Sequence, residues 1–209
     1  SHLRVVTNPH IGRYSWISHV ASSGSELAIQ AWWRYRYTGD VEWLRKNAYP
    51  LLRGMVEFYR HLVKQGDDDR YHIHRTNVHE NFWGVKDSIM DLAAIRGTAP
   101  LAIRAAELLE MDANLRAKWQ KLINNLAPYP MGSEPESKTL TGGVLADDVC
   151  LNPVFPFEDW TLETHSPTMD RMVRKTIELA PRLQSILNGA HPGYCNPYTN
   201  CGSQGGMRR

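Results

Sequence analysis

The amino-acid sequence predicts an all-α protein. Apolar residues recur at helical spacing along most of the chain, glycine and aspartate stand where helices should end and begin, and strand-like alternation is poor. The 209 residues are enough for one sizeable core. We expect one helical domain over residues 1–187 and an irregular C-terminal tail over residues 188–209, where Gly, Pro, Asn and Cys occur without periodicity.

The first two predicted helices cover residues 25–37 and 41–63. The first carries more aromatic and apolar residues than a helix with one exposed face, Trp32 and Trp33 among them. Thr38-Gly39-Asp40 should separate the two helices, because glycine suits the left-handed end of one and aspartate caps the start of the next. Pro50 predicts a break or restart near Tyr49, since proline lacks the N–H that a helix interior needs.

The remaining helices follow a polar loop at residues 65–69. Two segments, 88–95 and 99–109, are predicted to join around Gly97, and the next helix begins at Asp112 or Ala113 and ends at Leu126. A last helix is expected over residues 169–187, after an irregular stretch over residues 128–160.

Two helical architectures fit such a chain. A tandem-repeat array would show self-similarity at a fixed period, and the Ala31-Trp32-Trp33 cluster does not recur one repeat length downstream. An α/α toroid arranges helix pairs in a ring and leaves long loops at one end to build a cleft. The long, aromatic and polar loops at residues 65–87 and 128–168 favour the toroid.

Composition excludes several classes of partner. The net charge of +2 comes without a cluster of Lys and Arg among aromatic residues, which disfavours nucleic acid. No apolar run approaches the roughly 20 residues of a membrane span, and no signal peptide is recognisable at Ser1. Neither metal nor cofactor is expected, because the three Cys residues lack ligand spacing and His72 and His74 would need a further ligand.

The run Asn77-Val78-His79-Glu80-Asn81-Phe82-Trp83-Gly84 is the strongest functional signal. An indole stacks on a pyranose ring, carboxamides and imidazoles bind hydroxyls, and a partly buried carboxyl holds a proton near neutral pH. This combination predicts a sugar cleft in which Glu80 is the proton donor. The substrate-binding candidates in this run are Asn77, His79, Asn81 and Trp83. An ordinary polar start to the following helix is the open alternative.

Glycoside hydrolysis needs a second group to deliver water or to attack the anomeric carbon. Asp87 is the first candidate, with capping of the following helix as its alternative role. Asp91, Glu158 and Asp159 are the others, and Asp159 is also a substrate-binding candidate beside Trp160. Trp16 precedes a helix and could line the same cleft as Trp83.

Residues 31–44, 48–54 and 57–58 together resemble the catalytic toroid of glycoside hydrolase family 95, the α-L-fucosidases and their relatives. In that family a helix ending in Thr-Gly-Asp is followed by a Tyr-Pro-Leu-Leu helix and a loop with the proton-donating Glu. By order along the chain Glu80 is similar to that acid, and Asp87 to a family Asp that opens the next helix. The resemblance covers about residues 15 to 130.

The chain departs from the family in places. Val78-His79 replaces the Ser-Pro before the family's Glu, so the resemblance does not imply fucose specificity. The family's partner Asp lies in a Gly-Trp-Ser segment, for which Pro192-Gly193-Tyr194-Cys195 is a degraded match. A ring of twelve helices needs on the order of 250–300 residues. We therefore expect an incomplete toroid that self-associates as a homo-oligomer to cover its apolar faces.

The sequence predicts a glycoside hydrolase that acts on terminal sugars of oligo- or polysaccharides by general acid/base catalysis. One alternative is a non-catalytic, carbohydrate-binding or structural helical fragment. Another is a polysaccharide lyase that uses a Tyr or His base on a uronate, an alternative that His79, Tyr71 and Arg75 leave open. The resemblance suggests a bacterial protein that is periplasmic or secreted.

Overall fold

The computed structural model describes residues 19–78, 84–130, 151–164 and 166–179. These residues are mostly helical, which confirms the predicted all-α class. The elements, in chain order, are α1 Ser23–Thr38, α2 Val41–Trp43, a π-helical turn Leu44–Ala48, α3 Tyr49–Leu62, β1 Lys64–Gln65, β2 Tyr71–His72, α4 Ile89–Leu108, α5 Ala113–Asn124 and α6 Pro167–Leu179.

The turn between α1 and α2 follows the prediction. Gly39 adopts a left-handed conformation with φ of 66°, and its N–H donates to the carbonyl of Tyr35 at 2.8 Å. The Asp40 carboxylate accepts the N–H of Trp43 at 2.9 Å and so caps α2. Capping of this kind satisfies backbone groups that have no partner within the helix.

The restart predicted at Tyr49 is also present. The chain passes through the π-helical turn Leu44–Ala48 before α3 begins at Tyr49, and Pro50 occupies the first turn of α3. Proline has no N–H to donate to the preceding turn, so a helix accommodates it best at its start. The π-turn lets the helical path continue while the hydrogen-bonding pattern changes.

The predicted division of the next helical stretch at Gly97 is wrong. Helix α4 runs without a break over Ile89–Leu108 and contains both Gly97 and Pro100. Gly97 is needed for packing, because a Cβ at this position would overlap the carbonyl of Phe157 and lie 2.9 Å from the Phe157 Cβ. Tertiary packing against residues 151–160 therefore explains this glycine, whereas local helix breaking does not.

Helices α1, α3, α4 and α5 share one hydrophobic core. Consecutive members of this set pack together, as do α1 with α4 and α3 with α5, which fits part of an α/α toroid. The core includes the fully buried side chains Ile29, Leu52, Tyr59, Leu92, Trp119 and Leu122. Burial of each Leu or Ile is worth roughly 1.5–3 kcal/mol, and this packing holds the start of α4 in place.

Other boundaries differ modestly from the predictions. The polar loop at residues 65–69 is the turn of a two-residue antiparallel hairpin, in which Lys64 pairs with His72. Helix α6 begins at Pro167, earlier than predicted, and its predicted extension to residue 187 lies outside the described residues. The predicted tail over residues 188–209 lies outside them as well.

Among the described helices, none combines the length and the apolar character that crossing a membrane requires.

Candidate active site

The described residues include three of the predicted site residues. They are Asn77, Asp87 and Asp159. The other five lie outside the described part of the chain, and they are Trp16, His79, Glu80, Asn81 and Trp83. The structure describes the chain up to Val78 and from Gly84 onward, on either side of residues 79–83, the Glu80 segment.

The residues before and after the Glu80 segment are joined by backbone hydrogen bonds. Thr76 and Val85 form an antiparallel bridge, with the Val85 N–H donating to the Thr76 carbonyl at 2.8 Å and the Thr76 N–H to the Val85 carbonyl at 3.3 Å. One residue further in, the Asn77 carboxamide oxygen accepts the Gly84 N–H at 3.0 Å. Asn77 is buried, and its own N–H donates to the His19 carbonyl just before α1.

Asp87 forms a second connection across the same segment. Its N–H donates to the Ile73 carbonyl at 2.9 Å, and its Oδ1 accepts the Ile73 N–H at 2.8 Å. Its Oδ2 lies 2.6 Å from Nδ1 of His72. Asp87 has a φ of 52°, a left-handed conformation that Asp tolerates better than most residues.

The start of α4 is capped by Ser88, so the alternative role of Asp87 as the cap is wrong. The Ser88 hydroxyl accepts the Asp91 N–H at 3.1 Å and donates to Asp91 Oδ2 at 2.6 Å. Asp91 has no exposed surface. Desolvation raises the pKa of Asp91 to about 6, against the opposing effect of the hydrogen bond from Ser88.

Asp159 belongs to a different cluster of side chains. Its Oδ2 accepts the hydroxyl of Tyr129 at 2.8 Å, and the Tyr129 ring packs edge to face on the buried ring of Trp160. Burial raises the pKa of the Asp159 carboxyl above its usual range. The chain before Tyr129 runs beside β2, where the Ala127 N–H donates to the Tyr71 carbonyl. This pairing connects the cluster to the hairpin that leads into the Asn77 segment.

An open groove of about 390 Å³ lies beside Glu158, at the other end of α1 from His19. The rings of Trp33 and Phe155 stack in its wall with centroids 6.1 Å apart, and Arg36 and Tyr37 complete its lining. Phe155 and Tyr37 are exposed. The groove offers aromatic surface. Its lining residues belong to the C-terminal half of α1 and to residues 155–158, and none of them comes from residues 77–87.

Sequence reasoning missed the pairing of His72 with Asp87 and of Asp159 with Tyr129, because both join residues far apart in the chain. It also missed the Ser88 cap, for which the Ser-Ile-Met-Asp pattern was an available signal. Within the described ranges, no three His, Cys, Asp or Glu side chains gather in a way that could hold a metal ion.

Comparison with known proteins agrees with the sequence resemblance. The sequence profile of the glycosyl hydrolase family 95 catalytic domain matches residues 5–138. A kojibiose hydrolase of Flavobacterium johnsoniae is 35% identical over 74 residues, which cover 35% of this chain and 10% of that protein. A kojibiose hydrolase of Mucilaginibacter mallensis is 25% identical over 121 residues, 56% of this chain and 18% of that protein.

A plant protein is similar over much of the same region. The alpha-L-fucosidase 2 of Arabidopsis thaliana is 29% identical over 112 residues, which cover 49% of this chain and 13% of the plant protein. The chain thus spans between 10% and 18% of the length of these three relatives. Because the family profile matches more than half of the chain, the chain belongs to the glycosyl hydrolase family 95 catalytic-domain family.

Proposed function

We propose that this chain is part of the catalytic unit of a glycoside hydrolase that removes terminal sugars from oligo- or polysaccharides. Membership of the family supports the reaction class. The observation that carries the proposal in the structure is the double closure of the Glu80 segment, by the Thr76–Val85 bridge and by Asp87 with Ile73. A catalytic carboxyl needs fixed supports of this kind to meet the leaving oxygen of a substrate.

Glu80 is the proposed proton donor. Its neighbours in the sequence, Phe82 and Trp83, supply apolar surface that would keep a carboxyl protonated near neutral pH. Protonation of the leaving oxygen by a positioned acid is the first requirement of glycoside hydrolysis. Trp83 is proposed to stack on the sugar, with His79 and Asn81 binding its hydroxyls and Trp16 lining the same cleft.

The described contacts favour supporting roles for the other predicted residues. The Asn77 oxygen already accepts the Gly84 N–H, and both Asp87 oxygens already accept hydrogen bonds or ion pairs within the protein. We propose that Asn77 and Asp87 hold the Glu80 segment. Asp87 then affects catalysis by holding the Glu80 segment in place. Asp159 would affect it through its hydrogen bond with Tyr129, in the cluster that the Tyr71–Ala127 pairing connects to the hairpin.

The names of the relatives suggest which sugars to test first. Two are kojibiose hydrolases and one is an alpha-L-fucosidase. A suitable panel contains kojibiose together with nitrophenyl glycosides of fucose, glucose, galactose, arabinose and rhamnose in both anomers. Release of free sugar or nitrophenol from at least one of them is the expected result.

The same panel separates the alternatives. Binding of sugars without turnover, seen by calorimetry, would indicate a non-catalytic carbohydrate-binding fragment. Turnover of uronate polymers to a product that absorbs in the ultraviolet would indicate a lyase. Either result would contradict the proposed hydrolysis.

A further inference from the structure

A histidine lies between two carboxylates next to the residues that flank the Glu80 segment. Nδ1 of His72 is 2.6 Å from Oδ2 of Asp87, and Nε2 of the same ring is 2.9 Å from Oδ1 of Asp68. The imidazole joins three parts of the chain, because Asp68 lies in the hairpin turn, His72 in β2 and Asp87 just before α4. The His72 side chain is 11% exposed, whereas that of Asp68 is 54% exposed.

With both carboxylates ionised, this geometry requires both ring nitrogens to carry hydrogen. An ionised carboxylate has only acceptor oxygens, so a ring that bonds to two carboxylates must donate from Nδ1 and from Nε2. A histidine with two N–H groups is an imidazolium cation. Charge-assisted hydrogen bonds of this kind are about twice as strong as neutral ones. The two carboxylates raise the pKa of His72, Asp87 contributing the larger effect.

The groups around the ring act on its charge in both directions. Asp68 Oδ1 also accepts the Arg70 N–H at 3.1 Å, and the pKa of Asp68 is lowered, chiefly by His72. Lys86 Nζ lies 3.9 Å from Asp87 Oδ2. Its positive charge lowers the pKa of His72, against the larger effect of the two carboxylates. The His74 ring centroid is 6.2 Å from that of His72, and His74 is exposed.

Gly66 is required for the ring to fit in this place. A Cβ at Gly66 would lie 2.8 Å from Cδ2 of the His72 ring, closer than carbon atoms normally approach. The hairpin turn therefore leaves a space that the imidazole fills. The position of His72 is fixed by packing as well as by charge.

The His72–Asp87 pair acts on the ends of the segment that contains Glu80. Asp87 Oδ2 contacts His72, while Oδ1 of the same carboxylate accepts the N–H of Ile73, the residue after His72. Thr76, three residues after Ile73, and Val85, two residues before Asp87, form the bridge that lies between this pair and Glu80 in the sequence. Asp87 therefore joins His72 and Ile73, on one side of the segment, to the chain on its other side.

We propose that His72 is a positioning residue: as an imidazolium held between Asp68 and Asp87, it fixes the two ends of the segment that carries Glu80. This inference rests on the proposed function of Glu80, although the clamp can be tested without it. Deprotonation leaves one N–H on the ring, so one of the two hydrogen bonds is lost and the segment is held less firmly.

The first experiment reads the protonation state of His72 directly. Nitrogen-15 NMR of histidine-labelled protein should show both His72 nitrogens protonated at about pH 7.5, where an ordinary histidine, with a pKa of about 6.5, is mostly neutral. Asp68→Asn should lower the midpoint of the His72 titration, and Asp87→Asn should lower it further, because Asp87 has the larger effect. His74→Gln is the matched control and should leave the His72 titration unchanged. A His72 ring that is already neutral at that pH would overturn the proposal.

The second experiment connects this titration with catalysis. On a nitrophenyl glycoside that the protein hydrolyses, kcat should fall at alkaline pH with the His72 midpoint, and Asp68→Asn should move both downward together. His72→Gln should lower kcat about 10–100-fold with little effect on KM, and His74→Gln should change neither. A kcat profile that stays in place while the His72 midpoint moves would overturn the positioning role.

A third measurement keeps the two proposals separable. If no glycoside is hydrolysed, the proposed function fails, and hydrogen exchange then decides the clamp on its own. The Val85 and Asp87 N–H groups, which donate across the base of the segment, should lose protection in His72→Gln and keep it in His74→Gln. Equal protection in both variants would overturn the clamp.

Discussion

At the scale of single residues, Asp91 shows how the start of α4 is fixed. Its carboxyl has no exposed surface, and it bonds with the Ser88 hydroxyl that caps the helix. Desolvation raises its pKa to about 6. A buried carboxylate at neutral pH is costly, so the fold accepts a penalty to anchor the helix that follows the Glu80 segment.

Asp91→Asn should remove a pH dependence of stability. The raised pKa means that the folded protein binds more protons than the unfolded one between pH 3.8 and about 6. The free energy of unfolding should therefore fall as pH rises through this window, by about 3 kcal/mol relative to the Asn variant. Urea unfolding of both proteins at pH 4, 5, 6 and 7 measures it. Parallel pH profiles for the two proteins would contradict this account.

The sequence revealed which residue types gather near Glu80 but not their partners. Asp87 was a candidate for catalysis or for capping, and it instead pairs with His72 and Ile73. The sequence does not show that His72 pairs with two carboxylates, because Asp68 and Asp87 lie on either side of it, 4 and 15 residues away. Local patterns identify caps such as Asp40, whose partner is three residues away, whereas pairs across a loop need the fold.

At the scale of elements, two helical glycines offer a matched test of packing. Gly97 in α4 contacts the backbone of Phe157, so a methyl group there would have to displace the chain. Gly54 in α3 is exposed and has open space around its missing Cβ. Gly97→Ala should destabilise the fold by roughly 1–3 kcal/mol, and Gly54→Ala should stabilise it by about 0.5–1 kcal/mol.

Thermal or urea unfolding of the two variants checks this pair. Opposite signs would confirm that residues 151–160 pack on α4 as described. If both alanine variants were stabilised, α4 would not contact Phe157 in solution, and the placement of the Asp159 cluster would have to change with it.

The elements were predictable where the signal was local. Gly39, Asp40 and Pro50 each act within one helical turn, and the boundaries they predicted are present. Gly97 gave an equally strong local signal, and the division it predicted is wrong, because α4 continues through both Gly97 and Pro100. Helix α4 is buried along most of its length, and that burial outweighs the local cost of a glycine and a proline.

At the scale of the whole molecule, self-association remains a prediction, but it now depends on other exposed side chains than those of Trp32 and Trp33. Trp32 is covered within the chain itself, and Trp33 stacks on Phe155. The exposed apolar side chains that a second copy could cover include Leu27 on α1 with Leu51 and Phe58 on α3. Sedimentation at micromolar concentration should show a dimer or larger species.

Leu51→Glu tests which face is involved. It should shift the protein toward the monomer, because a charge in an apolar interface is costly. Glu110→Gln, on the exposed turn before α5, is the control and should leave the distribution unchanged. A parent protein that sediments as a compact monomer at every concentration would contradict self-association.

The central claim is that Glu80 donates the proton in glycoside hydrolysis, and turnover of the Glu80→Gln variant tests it most directly. On substrates with poor leaving groups, kcat should fall about 10²–10⁴-fold, because a general acid contributes that much. The melting temperature should stay that of the parent, and Glu110→Gln should keep full activity. A Glu80→Gln variant that turns over such substrates at the parental rate would contradict the account.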